Sequence, residues 1–313
     1  MEIKEHEEAV RGLKPLGALC WFQMRAVLID PVQYQNFLNT TMLDHSDLKK
    51  LRAKPSTPMR SWQLASKELE TNKVSRHNKV SYLVRDVRLQ TEAGDGAERQ
   101  LVREVRDPAG KRLSFGVVAR LGWNAFTDSS EVDNLATDPP IVQEVDDMID
   151  NMHRKMQLYV GKIHEETFRT AVNRLLRSLH PVSVHAGNRV WFVPERYRST
   201  VRMLHKLVNF VDQFGLSSTG PVKRCDFSAV TMADTVEGRT MVTDNAHEQI
   251  ERMANSVRAT LASYISEAKA SGGKVAPENL KAIAREISQF RAMAQEYKSF
   301  CGQRTAQVEV QMN

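Results

Sequence analysis

The residues whose types and spacing could support binding chemistry are cationic and amide side chains in the segment that begins at residue 163. Across 163–179 the apolar residues recur at helical spacing, while Asn173, Arg174 and Arg177 fall on the opposite face of the predicted helix. Arginine and asparagine donate hydrogen bonds to phosphates and to base edges. The candidate nucleic-acid-binding residues are Arg169, Thr170, Asn173, Arg174, Arg177, Arg189, Arg196 and Arg198.

A hairpin is predicted directly after this helix. Pro181 ends the helix, and alternating apolar residues flank the turn Gly187-Asn188. A helix followed by a small hairpin is the core of a winged-helix unit, and this order would place Arg189 where a wing touches the backbone or the minor groove. The segment 163–194 therefore predicts a winged-helix-like contact with nucleic acid.

The charge distribution leaves two interpretations of this surface open. Residues 154–206 contain eleven Lys or Arg against three Glu, a local net charge of +8 that favours binding by counterion release. The segment just before it, 128–150, contains eight Asp or Glu and no Lys or Arg. The basic face therefore either contacts nucleic acid or packs against the acidic segment. The net charge of +6 for the whole chain permits the first interpretation without demanding it.

A second group of cationic side chains lies on three predicted strands in residues 78–124. The breaks between these strands are rich in turn residues, which is typical of an antiparallel meander. The favoured interpretation is a solvated sheet face in which Asp86, Glu104 and Asp107 act as ion-pair partners. The alternative is a basic sheet face that touches phosphates. The cations concerned are Arg85, Arg88, Arg103, Arg106, Lys111, Arg112 and Arg120.

The sequence contains no residue set that predicts catalysis, a metal site or a cofactor. It has no phosphate-binding loop, dinucleotide fingerprint, nucleophile elbow or zinc-protease motif. The three cysteines are far apart and lack a CxxC pair, which argues against structural zinc and against a disulfide framework. Asp146 and Asp150 share a helical face that Asp147 does not, so these carboxylates do not form one site. We therefore expect a non-enzymatic protein in a reducing, cytoplasmic setting.

The predicted fold class is α+β, arranged in three consecutive segments. Residues 1–140 are expected to form an α+β domain around the antiparallel meander. Residues 141–236 are expected to form the winged-helix-like basic unit, together with a strand at 222–234 that returns to an earlier sheet. Residues 237–313 predict an antiparallel helical hairpin, because two amphipathic patterns flank the break at 271–273.

The helical hairpin provides the alternative function. Its apolar stripes at 250–268 and 280–300 have coiled-coil-like spacing, so the competing hypothesis is a structural or adaptor protein that associates with itself or with a protein partner. No apolar run is long enough to span a membrane, so no membrane contact is expected. The run Gly-x-x-Val-Trp-Phe-Val-Pro at 187–194 resembles a strand of uncharacterised phage- and plasmid-borne proteins that end in a helical region. This resemblance fits an origin in a phage or mobile element and implies no known activity.

Overall fold

The computed structural model is α+β, and every sheet among its described residues is antiparallel. It describes residues 12, 14–41, 43–74, 78–87, 96–184, 190–216, 225–270 and 275–301. The strands are β1 Pro15–Gln23, β2 Leu28–Ile29, β3 Thr71–Val74, β4 Lys79–Val87, β5 Gly96–Arg106, β6 Arg112–Asn124, β7 Ser129–Asn134, β8 Ile163–His164, β9 Val182–Ser183, β10 Trp191–Pro194 and β11 Asp226–Ala233. The helices are α1 Pro31–Asn39, α2 His45–Leu51, α3 Pro58–Lys67, α4 Pro139–Tyr159, α5 Glu165–Arg177, α6 Arg198–Asp212, α7 Val236–Ala270 and α8 Pro277–Cys301.

The chain divides into two compact units that are discontinuous in sequence. The first unit comprises the described parts of Met1–Arg25, Thr40–Arg52 and Arg169–Asn313. The second unit comprises the described parts of Ala26–Asn39 and Ala53–Phe168. This division differs from the three consecutive segments of the sequence analysis, because β1 pairs with β10 and β11 from the second half of the chain. Pairing over that distance ties the amino-terminal strand to carboxyl-terminal elements.

A four-stranded antiparallel sheet in the order β11-β1-β10-β9 is the frame of the first unit. The predicted return strand at 222–234 is confirmed, since β11 pairs with β1 along its length. The predicted hairpin also forms, with Trp191 opposite Ser183. However, β10 pairs with β1 on its other side, so the hairpin is the edge of a larger sheet. The predicted order of a helix followed by a hairpin is therefore present, with β1 as a third strand beside the hairpin.

The predicted helical hairpin is present as α7 and α8, which pack against each other. Helix α7 begins at Val236, one residue before the predicted segment 237–313. Thr235 fixes this start, because its hydroxyl accepts a hydrogen bond from the Gly238 amide at 3.1 Å and caps the first turn. The two helices and the sheet share one core, made of Leu16, Val182, Phe192, Val242, Ala246, Ile250, Ala254, Phe290, Met293 and Tyr297.

Helices α5 and α6 bury the apolar faces that their sequences predict. In α5, Phe168, Val172 and Leu175 are fully buried. Helix α6 packs against β11 and buries Leu204 and Val208. The polar face of α5 is therefore fixed in orientation by the burial of its opposite face.

The second unit contains a five-stranded antiparallel meander in the order β3-β4-β5-β6-β7. The meander predicted over 78–124 is confirmed, and two strands that were not predicted extend it. Strand β3 precedes the predicted range, and strand β7 follows it. Strand β7 forms because Asn124 Oδ1 accepts hydrogen bonds from the amides of Phe126 and Thr127, which turns the chain back along β6. The shared core of α3, α4 and this sheet includes Trp62, Tyr82, Leu101, Leu121, Trp123, Val145 and Met152.

Candidate nucleic-acid interface

A groove of about 1930 Å³ opens on the first unit, lined by α5, α7, α8 and the strands β1 and β10. No aspartate or glutamate is among the described residues that line it. The lining contains five cationic side chains, which come from α2, α5 and α7: Lys50, Arg169, Arg174, Arg177 and Arg252. The groove is therefore a positively charged surface assembled from segments that are far apart in sequence.

Five of the eight sequence-predicted residues lie together on the α5 side of this groove. Arg169, Thr170, Arg174 and Arg177 are exposed, and Asn173 is half-buried. Their position follows from the amphipathic pattern, since burial of the apolar stripe turns the polar face outward. The structure thus brings these five side chains to one accessible surface.

The guanidinium groups of the groove differ in how they are engaged. Arg174 Nη1 donates to the Lys50 carbonyl oxygen at 3.4 Å, and neither Arg174 nor Arg177 forms an ion pair with a described residue. Lys50 forms an ion pair with Asp47 at 2.8 Å, and Arg252 approaches Glu248 at 3.6 Å. The strongest uncompensated positive charge in the described part of the groove therefore lies on α5.

Gln249 of α7 holds the edge of the sheet against the helical hairpin. Its Oε1 accepts a hydrogen bond from the Ser183 amide at 3.0 Å, and its Nε2 donates to the Pro181 carbonyl oxygen at 3.2 Å. These bonds satisfy backbone groups of an edge strand that would otherwise need water. The carboxyl end of α5, the strand β9 and helix α7 are consequently linked where they line the groove.

Aromatic side chains from β1 and β10 complete the lining. Trp21 is 37% exposed, and Trp191 is half-buried. Trp191 stacks on Phe22, with ring centroids 5.9 Å apart and planes inclined by 27°. Indole rings with accessible faces can stack on planar ligands, so the groove offers apolar as well as cationic contacts.

His180 lies at the carboxyl end of α5, on the groove. Its backbone is left-handed, with φ of 51°, and its carbonyl oxygen accepts a hydrogen bond from the hydroxyl of Tyr297 at 2.8 Å. Burial, and then the charges of Arg196 and Lys50, lower the pKa of His180 below its ordinary value of 6.5. The imidazole is therefore neutral at pH 7 and does not add to the positive charge.

The family model that matches this chain covers residues 15–313, which includes most of both units. The chain belongs to DUF6744, a family of unknown function. No curated protein and no solved structure matches it. Membership in DUF6744 therefore leaves the function to be argued from the groove itself.

Two of the other predicted residues of this DUF6744 chain, Arg196 and Arg198, do not line the groove. Arg196 forms an ion pair with Glu296, and its guanidinium lies over the ring of Tyr197, 4.6 Å from the centroid. Arg198 pairs with Glu195 at 2.9 Å, one helical turn away. Arg196 therefore links the segment before α6 to α8, and Arg198 pairs across the start of α6. The sequence pattern could not distinguish these two arginines from those of α5. Arg189 and the turn Gly187-Asn188 lie outside the described residues.

Lys50, Arg252 and Trp21 are lining residues that the sequence analysis does not identify. They belong to three segments separated by long stretches of chain, and only the tertiary fold brings them beside α5. The one available signal was the position of Arg252 on the polar side of the α7 stripe. Among the described residues there is no group of three or more His, Cys, Asp or Glu that could hold a metal ion.

The acidic segment 128–150 has partners within the second unit. Glu144 accepts hydrogen bonds from Lys73 and, at 2.6 Å, from the hydroxyl of Tyr82. Asp146 accepts a hydrogen bond from Asn134 at 2.7 Å. Two of the eight acidic residues in this segment are therefore engaged by partners other than the basic face of α5. None of the helices that the structure describes has an apolar stretch capable of crossing a lipid bilayer.

Proposed function

We propose that the first unit binds nucleic acid through the groove and that the protein is not an enzyme. One observation carries the proposal, namely that five cations line one groove whose described lining has no carboxylate. Neutralising phosphates with lysine and arginine releases counterions, which is the main source of affinity for nucleic acid. Arg174 and Arg177 are the strongest candidates, because no described carboxylate competes with a phosphate for them.

The size of the groove favours a polymer over a small molecule. Pockets for small ligands usually enclose about 300–1,000 Å³. The groove has a volume of about 1930 Å³, roughly twice that upper value. The walls of the groove extend from β1 across α5 to α7 and α8. A groove of this extent suits a segment of a polymer that carries repeating phosphates.

Charge reversal on α5 tests this proposal. The double variant Arg174→Glu with Arg177→Glu should weaken binding of an oligonucleotide by about 100-fold, because two attractive contacts become repulsive. Neutralising one phosphate contact changes the salt slope by about 1, so the slope of log K against log salt should fall by about 2. Fluorescence anisotropy across a salt series measures both quantities.

Arg202 and Lys206 provide a matched control on α6. Both are exposed, neither lines the groove, and they are spaced by one helical turn as Arg174 and Arg177 are. Arg202→Glu with Lys206→Glu should lower affinity by no more than about threefold through long-range charge. Equal losses in the two double variants would refute the groove as the site. Competition by polyglutamate that matches competition by oligonucleotide would point instead to an acidic protein ligand.

A cytoplasmic setting is part of the proposal. Cys20 and Cys225 are both buried and free of disulfides. Thiols without a disulfide bond are the usual state in a reducing compartment. Cell extracts can be alkylated either before or after reduction, and the gel mobility of the protein compared between the two. A difference in mobility would reveal a disulfide formed in the cell. An origin in a phage or mobile element stays a prediction of the sequence.

A second candidate function is association through the distal part of the helical hairpin. Ile265 and Leu280 are each 54% exposed, and Leu261 is 37% exposed, although the sequence pattern places all three on the apolar stripes. Exposed apolar side chains on neighbouring helices favour contact with another helix. Ile265→Glu with Leu280→Glu should convert any oligomer to monomer in light scattering. An identical mass for the variant and the parent protein would remove this candidate.

A further inference from the structure

We propose that the groove takes single-stranded nucleic acid, with Trp21 and Trp191 stacking on its bases. This inference rests on the proposed function and names the substrate class of the same site. Both indoles line the groove, and 37% of the Trp21 surface is exposed. Base stacking on aromatic side chains, combined with a cationic groove that follows the backbone, is how sequence-tolerant single-strand binders work.

The groove offers separate side chains for the phosphate and for the base of a nucleotide. The cations come from helices, with Arg174 and Arg177 on α5 and Arg252 on α7. The indoles come from the hydrogen-bonded strands β1 and β10. Trp191 shares a sheet face with Cys20 and Phe22, whereas Trp21 points to the other face at the end of β1. Since both indoles line the groove, a strand laid in it can direct phosphates to the helices and bases to one or the other indole.

The same geometry disfavours a duplex. Readers of duplex DNA insert a projecting helix or hairpin into the major groove. Here the basic face of α5 lies along a concave groove, and β10 of the hairpin is bound between β1 and β9. In a duplex the faces of the bases are stacked on one another and cannot reach an indole in the groove. Single-stranded nucleic acid presents those faces without the cost of unpairing.

Intrinsic fluorescence offers a direct test, because the four tryptophans divide into two groups. Trp21 and Trp191 line the groove. Trp62 and Trp123 lie in the core of the second unit, with 0% and 3% of their surfaces exposed. Stacking of a base on an indole quenches its fluorescence, so quenching on titration reports the two groove residues. The probes are an oligothymidylate of roughly 16 nucleotides, a duplex of the same length and an abasic strand of the same length.

The expected result has three parts. The full-length protein binds oligothymidylate at least tenfold more tightly than the duplex or the abasic strand, and only oligothymidylate quenches fluorescence. Trp21→Ala lowers the affinity for oligothymidylate by about tenfold and leaves the affinity for the abasic strand unchanged. Trp21→Phe keeps most of the affinity while reducing the quenching, because phenylalanine still stacks.

Matched variants keep this result interpretable. Phe126→Ala removes an 80% exposed aromatic ring that does not line the groove, and it should leave all three affinities unchanged. Trp191→Phe preserves an aromatic partner for Phe22, so it tests stacking without emptying the sheet surface. Circular dichroism of each variant verifies folding before titration.

Failure of this inference differs from failure of the proposed function. Equal binding of oligothymidylate, duplex and abasic strand, still lost in Arg174→Glu with Arg177→Glu, would overturn single-strand stacking and leave groove binding in place. Binding of none of the three probes would overturn both. Quenching that persists in a variant carrying Trp21→Phe and Trp191→Phe would also overturn the assignment of the stacking residues.

Discussion

Two regions of this chain carry clustered arginines, and they differ in what those arginines contact. We call one of them the exposed sheet face, which consists of Arg85, Glu104, Arg106, Arg112 and Phe115 in the second unit. There, Arg106 and Arg112 approach the buried carboxylate of Glu104 to 3.0 and 2.7 Å. Arg85 and Arg112 also lie over the Phe115 ring, each 4.8 Å from its centroid. In the groove, by contrast, the two central α5 arginines have no ion pair with a described residue.

This difference shows that local pairing, rather than the number of cations, distinguishes a binding surface from a solvated one. A guanidinium that already shares a carboxylate must give up that contact before it can bind a phosphate. An arginine paired only with solvent exchanges water and counterions instead, and the release of counterions is favourable. The solvated interpretation is therefore favoured at Arg106 and Arg112, which pair with Glu104, one of the three acidic partners predicted for the sheet cations as a group.

The frameworks of the two regions can be compared through one glycine in each. A methyl group at Gly17 of β1 would meet the Val193 carbonyl oxygen and lie 2.6 Å from the Phe192 ring, whereas one at Gly116 of β6 would meet nothing within 4 Å. Gly17→Ala should lower the free energy of unfolding by about 2 kcal/mol or more, because β1 and β10 must separate. Gly116→Ala should change it by less than about 1 kcal/mol. Urea unfolding of both variants measures the difference, and similar values for the two would contradict the close β1–β10 packing.

A carboxylate placed in the groove should make it resemble the exposed sheet face. Ser288 of α8 is exposed and lines the groove, whereas Ala282 on the same helix is exposed and does not. Ser288→Glu should weaken oligonucleotide binding by about tenfold, because the new charge pairs with the groove cations and repels phosphates. Ala282→Glu carries the same change in net charge and should have at most a twofold effect. Anisotropy at low salt separates the two, and equal effects would mean that total charge matters more than position.

The sequence predicted the elements of both regions better than their contacts. The α5 face was recognisable because Asn173, Arg174 and Arg177 alternate with apolar residues at helical spacing, and burial of the stripe leaves only one orientation for that face. The meander was recognisable from alternation and turn residues. Glu104 was also predicted as an ion-pair partner of the sheet cations, but the sequence did not show which cations it would contact.

The groove itself was beyond the sequence, because its parts are joined only by tertiary structure. Lys50, Trp21 and Arg252 carry no local pattern that relates them to α5. Arg196 and Arg198 have the same residue type and local charge as the α5 arginines, yet nearby carboxylates engage them. Strand β7 lies beyond the predicted meander because its turn depends on Asn124 Oδ1, which accepts hydrogen bonds from the amides of Phe126 and Thr127.

Removing the carboxylate from the exposed sheet face should have a smaller effect in the opposite direction. Hydrogen bonds from Arg106 and Arg112 lower the pKa of Glu104, so it is ionised at neutral pH and compensates both arginines. Glu104→Gln should raise non-specific oligonucleotide affinity by about two- to threefold at low salt, since two exposed guanidiniums lose their counter-charge. The gain should persist in the background of Arg174→Glu with Arg177→Glu and vanish at high salt. A loss of affinity, or a gain that is insensitive to salt, would contradict the role assigned to Glu104.

The smallest expected effect is a change in the pKa of His180 in the groove, with His164 of the second unit as the reference. Burial lowers the pKa of His180 in the groove, and the positive charges of Arg196 and Lys50 lower it further. Burial also lowers the pKa of His164 in the second unit, where Glu166 opposes the effect. Bound phosphates would offset the nearby cations, so an oligonucleotide should raise the pKa of His180 toward 6.5 and leave that of His164 unchanged. Proton NMR titration of the imidazole signals, with and without oligonucleotide, measures both values.

The same linkage predicts how bound oligonucleotide affects stability as the pH falls. Because folding lowers the pKa of His180, the neutral ring stabilises the folded state fully above pH 6.5, and this contribution is lost as the pH falls through the lower folded pKa. An oligonucleotide that raises this pKa reduces the loss, so it should increase the Tm more at about pH 5.5 than at about pH 7. His180→Asn, which suits the left-handed backbone at φ 51°, should remove that pH dependence, whereas His164→Asn should keep it. If the two variants behave alike, the bound phosphates do not lie near His180, and the nucleic acid occupies a different part of the groove or another surface.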